Sequence, residues 1–498
     1  MAENKTMIQY FEWYLPNTGL HWKQVAHQAQ NLAGTGINMV WLPPAYKGAS
    51  GIDSVGYDVY DMYDLGEFDQ RGDVRTKYGT KEDYLTAIKS LQSNGVQVIA
   101  DVVLNHKLGA DESEKVMVHD VNPNNRDEEY GEPHEITAWT KFTFPGRADK
   151  YSDFHWNHEY FSGCDWDEGA KKNGIFLFEG KKWSRDTDNE NGNYDFLMGA
   201  DVDSDHPAVE KENINWGKWY LDTTHVDGFR LDAVKHISFE SEKRWITAMR
   251  DYMKETAPNK EFFSVGEYWA NDLGKLLNYI NSTDGLIALF DVPLHYHMLE
   301  AATSNGQYDM GHLYQDTLSL TKPELAITFV DNHDTQPGQS LSSFIPPWFK
   351  PIAYSLILLR AVGTPCLFYG AYYGIPHTGV SPVCGIKKLV KIRQLYAYGE
   401  ERMYFDDQNV VGFTRAGDQE HWDSGLAVLV TNFKGGKKRM EIGKNLAKMK
   451  MKDALLKNPN IVEIDEDGFG EFYVDDGSAA VWVTEKAWEY LYTEVMGI

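Results

Sequence analysis

One stretch, Gly228 to His236, places several chemically active side chains at the end of a predicted strand. Its apolar start is followed by Arg230, Asp232, Lys235 and His236. Alternate residues of a strand share one face, so Arg230 and Asp232 point the same way. A guanidinium beside a carboxylate favours the ionised carboxylate, which is the state that a nucleophile needs. A structural ion pair at a strand end is the alternative interpretation of this stretch by itself.

Three further polar clusters follow apolar runs in the same manner. They are Asp101-Val102-Val103-Leu104-Asn105-His106, Gly266-Glu267-Tyr268-Trp269 and Asp331-Asn332-His333-Asp334. A single cluster of this kind could be a cap or a buried hydrogen-bonding group. Four clusters after four strands indicate one shared site.

Three carboxylates in these clusters differ in their neighbours. Asp232 accompanies Arg230 and is expected to be charged, whereas Glu267 lies among apolar and aromatic residues that favour its protonated form. One ionised and one protonated carboxyl group are what hydrolysis of a glycosidic bond requires. The third carboxylate, Asp334, could bind sugar hydroxyls and help to stabilise an oxocarbenium-like transition state.

Eight short apolar runs are predicted to form the strands that position these clusters. The runs are residues 7–11, 38–42, 96–100, 226–231, 261–265, 286–290, 325–330 and 364–368. Amphipathic helical patterns lie between them; in one, Thr80 and Asp83 form a capping box and Asn94-Gly95 ends the apolar face. This alternation predicts an α/β fold, a (β/α)₈ TIM barrel, whose active site lies at the carboxyl ends of its strands.

Two regions depart from the alternation. Residues 105–206 are polar, rich in Gly, Asn and Asp, and too long for a simple loop, so they predict an inserted irregular β domain after strand 3. After residue 400, strand-like runs separated by turn residues predict a C-terminal all-β domain. The predicted domains are a catalytic barrel of residues 1–104 and 207–400, the inserted domain, and a β-sandwich of residues 401–498.

The composition excludes several classes of partner. The formal charge is −26, from 48 basic and 74 acidic residues, which argues against nucleic acid and against an anionic membrane. Three separated cysteines, an N-terminus without an apolar signal segment and the lack of a membrane-length apolar run favour a cytoplasmic protein. A secreted chain without its signal is the alternative. We expect a monomer.

The four clusters resemble the four signature regions of the α-amylase family of glycoside hydrolases. Further segments resemble the liquefying α-amylases of bacilli and their cytoplasmic relatives in other bacteria; these are residues 9–14, 41–48, 63–68, 75–80 and 189–195. The likeness covers essentially the whole chain and is weakest in the C-terminal region. It implies an enzyme that acts on an α-glucan.

The resemblance implies a role for each residue that matches the family's motifs. Asp232 would be the nucleophile that forms a covalent glycosyl-enzyme, Glu267 the general acid and then base, and Asp334 the transition-state stabiliser. The substrate-binding residues would be Tyr57, His106, Arg230, Lys235, His236 and His333. Such a double displacement retains the anomeric configuration. Ordinary packing or a surface position is the alternative for Tyr57, Lys235 and His236.

The resemblance also implies a calcium site. Its ligands would be Asn105, Asp195, Asp201 and the main-chain carbonyl of His236. Carboxylate, amide and carbonyl oxygens suit calcium. The run from Asp201 to Asp205 starts like an EF-hand loop, but His206 occupies the position that needs a glycine, so we reject that interpretation.

The chain departs from its liquefying relatives at their further cation sites. Acidic or imidazole ligands are replaced there by Ser162, Ser184, Gln408, Asn409 and Asn432. Each replacement removes charge that a hard cation needs. We therefore expect one calcium ion per chain and lower heat resistance than that of the liquefying enzymes. Arg185, Asp186 and Asp188 are nearby substitutes for Ser184.

The predicted function is endo-acting hydrolysis of internal α-1,4-glucosidic bonds in starch, glycogen or maltodextrin. An exo-acting maltooligosaccharide hydrolase or a transglycosylase of the same family is one alternative, because subsite shape decides whether water or a sugar attacks. A non-catalytic carbohydrate-binding protein is the alternative from another class, and the retained carboxylates argue against it.

Overall fold

The computed structural model describes residues 4–495 of the chain. Residues 1–3 and 496–498, at the ends of the predicted barrel and C-terminal domains, lie outside the described residues. Within residues 4–495, none of the helices has the length and apolar character needed to cross a membrane.

Eight strands form a closed parallel barrel. They are Met7–Gln9, Met39–Leu42, Gln97–Val102, Gly228–Leu231, Phe263–Gly266, Ala288–Phe290, Ala326–Phe329 and Thr364–Phe368. Around the barrel they follow chain order, and the eighth strand neighbours the first. Nearly all of their residues are buried, as parallel strands with both faces covered require. Each predicted run overlaps one of these strands, so the predicted (β/α)₈ TIM barrel is confirmed.

The α-helices of the described residues mostly follow barrel strands. They are His21–Thr35, Lys81–Ser93, Pro207–Thr224, Phe239–Thr256, Leu273–Ser282, Val292–Thr303, Leu318–Thr321, Lys350–Leu359, Tyr369–Tyr373, Ile386–Tyr396 and Glu485–Tyr490. The capping box predicted before Lys81 is present, because the Thr80 side chain accepts from Asp83 N and the Asp83 carboxylate accepts from Thr80 N. Asn94 ends this helix, as predicted.

The segment of the chain between barrel strands 3 and 4 forms a six-stranded sheet. Its order across the sheet is His106–Lys107, Ala200–Val202, Phe161–Asp167, Lys172–Phe178, Glu112–Asn122 and Asn125–Lys141. The last two strands form a hairpin that is longer and more regular than the irregular β structure that we predicted. At the base of the hairpin, Val116, Val118, Ile136 and Ala138 belong to a buried apolar cluster, whereas the residues around its turn are mostly polar and exposed.

The C-terminal part of the chain is all-β, apart from its last helix. Six strands form one sheet in the order Glu401–Tyr404, Val410–Arg415, Leu426–Thr431, Ala479–Thr484, Lys450–Asp453 and Ile461–Glu463. The pair Gly436–Glu441 and Phe469–Val474 forms a second, two-stranded sheet. A buried apolar cluster that includes Leu429, Phe472 and Trp482 forms the core of this part.

The chain packs as two compact units. One comprises Leu15–Gln30 and Val40–Phe290, with barrel strands 3 to 6 and the inserted sheet. The other comprises the chain up to Tyr14, Asn31–Met39 and the chain from Asp291 onward, with barrel strands 1, 7 and 8 and the C-terminal sheets. The predicted domain boundaries at residues 104, 206 and 400 stay a prediction.

Candidate active site

One buried guanidinium joins three carboxylates at the ends of barrel strands 3, 4 and 5. Arg230 Nη1 donates to Asp101 Oδ1 at 2.9 Å and to Asp232 Oδ1 at 2.6 Å. Arg230 Nη2 donates to Glu267 Oε2 at 3.1 Å, and the Arg230 side chain is fully buried. Buried charges persist when they are paired and hydrogen-bonded. Arg230 therefore fixes Asp232 and Glu267 relative to each other.

The register in which the barrel strands pair sets the positions of these side chains. Arg230 lies opposite Asp101 on barrel strand 3, and the Asp232 N–H donates to Val102 O at 2.9 Å. Just beyond, Ala233 has φ 52°, in the left-handed region that non-glycine residues rarely adopt. In this turn the Ala233 N–H donates to Glu267 Oε2 at 3.2 Å. Backbone strain of this kind is concentrated at functional sites.

Asp101 is a positioning residue to which the sequence assigned no role. Its Oδ2 accepts from Trp41 Nε1 at 3.0 Å and from the Tyr57 hydroxyl at 2.8 Å, while its Oδ1 accepts from Arg230. Burial raises the pKa of Asp101, and the Arg230 charge opposes that rise. Asp101 thereby connects the predicted substrate residue Tyr57 to the guanidinium that holds Asp232.

His106 begins the inserted sheet beside this network. Its Nε2 is 2.8 Å from Tyr57 O, so Nε2 carries the proton, and its Nδ1 accepts from Asn105 Nδ2 at 3.3 Å. Burial lowers the pKa of His106, which favours the neutral ring. Both ring nitrogens of His106 therefore have protein partners, which fix the orientation of the neutral ring beside Tyr57.

Lys235 and His236 lie in the short 3₁₀ turn Val234–His236. Both contact residues 190–194, near the end of the inserted region. Lys235 Nζ donates to Glu190 Oε2 at 2.9 Å and to Trp269 O at 3.2 Å. His236 Nδ1 donates to Tyr194 O at 2.7 Å, and burial lowers the pKa of His236 to about 3. Glu190 is a partner of Lys235 that the sequence analysis missed.

Asp334 and His333 belong to the other compact unit, after barrel strand 7. Gln9 Nε2 donates to His333 Nδ1 at 2.9 Å, so the ring proton lies on Nε2, which is 3.2 Å from Asp334 Oδ2. Asn332 Oδ1 accepts from the backbone N–H of Asp334 at 2.9 Å. These contacts orient the Asp334 carboxylate. Gln9, on barrel strand 1, is a positioning residue that the sequence did not reveal.

The family model described as "Alpha amylase, catalytic domain" matches residues 17–424. The chain belongs to the α-amylase family. It is 51% identical to an α-amylase of Geobacillus stearothermophilus, over 97% of this chain and 87% of that relative. It is 48% identical to a glucan 1,4-alpha-maltohexaosidase of Bacillus sp. (strain 707), over 97% and 93% of the two chains. It is 42% identical to a cytoplasmic α-amylase of Escherichia coli (strain K12), over 97% and 99%.

A solved structure agrees with this assignment at the level of the fold. The α-amylase of Geobacillus thermoleovorans, complexed with acarbose, superposes with a TM-score of 0.64 at 18% identity, over 97% of this chain and 98% of that one. The resemblance to the α-amylase family that the four clusters predicted is therefore confirmed.

Members of the α-amylase family generally bind calcium, and two of the four predicted ligands carry the signs of a cation site. Asp195 and Asp201 are buried, and burial together with the charges of neighbouring aspartates raises the pKa of both. Asp201 Oδ2 is buried without a hydrogen-bond partner in the described part of the chain. Two buried carboxylates without a cation are unfavourable, so these residues fit a cation.

The other two predicted ligands, Asn105 and His236, form hydrogen bonds with the residues adjacent to Asp201 and Asp195. Val202, next to Asp201, donates its N–H to Asn105 O at 2.9 Å, while His236 donates to the carbonyl of Tyr194, the residue before Asp195. Within residues 4–495 no group of three or more His, Cys, Asp or Glu side chains is arranged to hold a metal. Of the four predicted calcium ligands, only Asp195 and Asp201 are side chains of these types. The other two would supply the amide oxygen of Asn105 and the main-chain carbonyl oxygen of His236.

Two indole rings in this α-amylase family member line a pocket that the sequence analysis did not single out. Trp139 and Trp166 both direct their Nε1–H groups at Glu168 Oε2, at 3.2 Å and 2.9 Å. The pocket encloses about 330 Å³ and adjoins residues 107–110, just after His106. The chain has 15 Trp and 29 Tyr residues, but this composition does not show where such a pocket lies.

We expect Arg230→Lys to lower kcat on starch by about 100-fold, because misplacement of catalytic groups by about 1 Å has effects of that size. A lysine ammonium cannot reproduce the fork that reaches Asp101, Asp232 and Glu267 together. The matched control is Arg439→Lys, since Arg439 is exposed and contacts Asp465 in the C-terminal part. Its kcat should stay within about twofold of wild type. Equal kcat values for the two variants would refute the positioning role of Arg230.

Proposed function

We propose that the protein is an endo-acting α-amylase that hydrolyses internal α-1,4-glucosidic bonds of starch, glycogen or maltodextrin by a retaining double displacement. The observation that carries this proposal is the shared contact of Asp232 and Glu267 with one buried guanidinium. Retaining glycosidases need two carboxyl groups held close together on either side of the scissile bond. A rigid bridge through Arg230 provides that proximity.

In the proposed mechanism, the two carboxyl groups act in two steps. Asp232 attacks the anomeric carbon while Glu267 protonates the leaving oxygen, so the glycosidic bond breaks and a covalent glycosyl-enzyme forms. Glu267, now a carboxylate, then removes a proton from water, which attacks the same carbon and releases Asp232. Asp334 stabilises the positive charge that develops on the sugar in both transition states.

The remaining predicted residues bind the substrate. His106, Arg230 and His333 hold the sugar at the cleavage point, and Tyr57 stacks beneath it. Lys235 and His236 contact the sugar on the leaving-group side. Burial lowers the pKa of both His106 and His236, so neither ring carries a charge next to the uncharged substrate. The His236 ring uses Nδ1 for its bond to Tyr194 O, so Nε2 is the nitrogen that would face a sugar hydroxyl.

The proposed calcium ion is held by Asn105, Asp195, Asp201 and the carbonyl of His236. When bound, it supplies positive charge that compensates the two buried aspartates. We place it where the inserted domain, residues 105–206, meets the barrel domain of residues 1–104 and 207–400, with residues 401–498 as the third domain. Its role is therefore in stability.

A neutral amide contact supports the proposal of a single calcium ion. Asn409 Nδ2 donates to Asn432 Oδ1 at 2.8 Å and to Gly306 O at 2.8 Å, and Asn432 Nδ2 donates to Tyr308 O at 3.2 Å. These direct hydrogen bonds join the loop after residue 303 to the C-terminal sheet. The side-chain amides of Asn409 and Asn432 replace charged cation ligands of the liquefying relatives. In this protein the two amides form hydrogen bonds with each other and with backbone carbonyl groups.

Removal of calcium by a chelator should lower Tm by ~10 °C, because a ligand that binds only the folded state stabilises it. Metal analysis after dialysis should give one calcium ion per chain. Asp201→Asn should lower the calcium content and remove the effect of the chelator on Tm, whereas the exposed Asp467→Asn should not. Three or more bound calcium ions per chain would contradict the proposal.

The cellular location, the oligomeric state and the products of the enzyme are further parts of the proposal. We propose a cytoplasmic monomer that meets glycogen and maltodextrins in the cell and also cuts starch when starch is supplied; the relative from Escherichia coli is a cytoplasmic α-amylase. Formation of defined short products is a second candidate function, because one relative is a maltohexaosidase. The products released from maltoheptaose distinguish an endo-acting hydrolase from an exo-acting enzyme or a transglycosylase.

The test of the proposed function is the release of reducing ends from soluble starch, followed together with the loss of iodine colour. An endo-acting enzyme removes the colour early, while few reducing ends have formed. An exo-acting enzyme produces many reducing ends while the colour persists. Starch that stays intact would refute hydrolysis and leave the alternative of a carbohydrate-binding protein.

A further inference from the structure

The turn of the long hairpin, residues 112–141, contacts the segment 188–196 near the end of the inserted region. Arg126 lies close to this turn; its backbone N–H donates to Asn191 O at 2.7 Å, and its Nη1 donates to Phe196 O. Arg126 is only 9% exposed, so these contacts are largely shielded from water. The hairpin therefore holds this segment in place through a buried cation.

The guanidinium of Arg126 lies over the aromatic ring of Tyr194. Its Cζ is 4.3 Å from the ring centroid, and Lys235 Nζ is 4.6 Å from the same centroid. A cation within about 6 Å of an aromatic centroid is attracted by the negative face of the ring, more strongly where water is excluded. Tyr194 thus contacts one cation from the hairpin and one from the 3₁₀ turn that follows barrel strand 4.

Tyr194 also contacts His236. Tyr194 O accepts from His236 Nδ1 at 2.7 Å, and the two rings meet edge to face, with their centroids 4.4 Å apart. The Lys235 ammonium has two further partners, Glu190 Oε2 at 2.9 Å and Trp269 O at 3.2 Å. Tyr194 is therefore a common support for the side chains of Lys235 and His236.

We propose that Arg126 is a positioning residue that acts through the Tyr194 ring on the leaving-group side of the active site. The inference rests on the proposed function, in which Lys235 and His236 contact the sugar that departs. Because the ring orients both of these side chains, loss of Arg126 should weaken the binding of that sugar. Cleavage of a bond whose leaving group is not a sugar should stay unchanged.

The two reacting carboxyl groups are held by separate contacts. Arg230 binds Asp232 at 2.6 Å and Glu267 at 3.1 Å. With α-maltosyl fluoride, Asp232 forms a bond to the anomeric carbon, the carbon–fluorine bond breaks, and fluoride leaves with its electron pair. Water then attacks the same carbon, its proton goes to Glu267, and maltose is released. This substrate therefore measures the two carboxyl groups without a departing sugar.

The test compares kcat/KM for maltoheptaose with kcat/KM for α-maltosyl fluoride in the calcium-loaded enzyme. Arg126→Met should lower the value for maltoheptaose about fivefold, as loss of a shielded cation–π contact predicts, and leave the value for the fluoride within about twofold. Tyr194→Leu should show the same split, whereas Tyr194→Phe, which keeps the ring, should resemble the wild type. The double variant Arg126→Met/Tyr194→Leu should lose no more than Tyr194→Leu, because the two side chains act as one unit.

Lys115→Ala is the matched control, because Lys115 is an exposed cation of the same hairpin and contacts Glu135. Both of its kcat/KM values should stay near those of the wild type. Equal losses on the two substrates in Arg126→Met and in Tyr194→Leu, or no loss on maltoheptaose, would overturn the positioning role. A loss that excess calcium reverses would overturn it too, since Arg126 would then act on the calcium site.

The wild-type enzyme separates this inference from the proposed function. If it hydrolyses maltoheptaose while Arg126→Met behaves identically, the proposed function stands and the positioning role fails. If the wild type leaves maltoheptaose intact, the proposed function itself is refuted, and the inference with it.

Discussion

Asp232→Asn is expected to lower kcat on starch by at least about 10⁴-fold while leaving the fold intact. The amide oxygen of asparagine can still accept the hydrogen bond from Arg230 Nη1, which is 2.6 Å from Asp232 Oδ1. The amide cannot serve as the nucleophile, so no glycosyl-enzyme forms. The rate is measured as the release of reducing ends, and Tm is measured on the same preparations.

The matched control for this variant is Asp251→Asn. Asp251 is an exposed aspartate that contacts Lys254 in the helix Phe239–Thr256, so its loss should change kcat by less than about twofold. NMR of the first products of the wild-type enzyme should show the α-anomer, as a double displacement requires. An inverted product, or an Asp232→Asn enzyme with near wild-type activity, would exclude Asp232 as the nucleophile.

Glu267→Ala is expected to lower kcat on starch by about 10³-fold to 10⁴-fold, because it removes both the general acid and the general base. The loss should depend on the leaving group. A maltosyl fluoride needs little protonation to depart, so its glycosyl-enzyme should still form, and the slow step becomes the attack of water. The vacated space beside Arg230 and the Ala233 N–H should accept a small anion.

Added azide separates an acid–base role of Glu267 from a purely structural one. Azide needs no general base, so it should accelerate turnover of maltosyl fluoride by Glu267→Ala and yield a maltosyl azide of retained α-configuration. The control is Glu466→Ala, an exposed residue that contacts Lys448, with which azide should have no effect. A Glu267→Ala enzyme that azide fails to rescue, or equal losses on starch and fluoride, would point to a structural role.

The order of strands and helices could be predicted from the sequence because it depends on local patterns. Apolar runs of a few residues, helix caps such as Thr80 and the turn Asn94-Gly95 act over short distances along the chain. The polar clusters directly after these runs identified Asp232, Glu267 and Asp334 as candidates, since barrel strands bring their carboxyl ends to one face. The long hairpin of residues 112–141 was not predicted as such, because its apolar alternation is confined to the base and the residues around its turn are mostly polar.

The partners of the candidate residues were decided by the tertiary structure. Arg230 meets Asp101 because their two strands pair in one register, and Trp41 and Tyr57 reach Asp101 from other segments. Gln9 and His333 are 324 residues apart in sequence, yet they form one hydrogen bond.

Such contacts depend on how distant segments pack, and no local pattern encodes them. The sequence by itself therefore determined which residue types carry the chemistry and at which strand ends they lie. Only the tertiary structure decided which side chain orients each of them, how the rings of His106 and His333 carry their protons, and where the pocket lined by Trp139 and Trp166 lies. The physical reason is that each of these features requires contacts between segments that are distant in sequence and close in space.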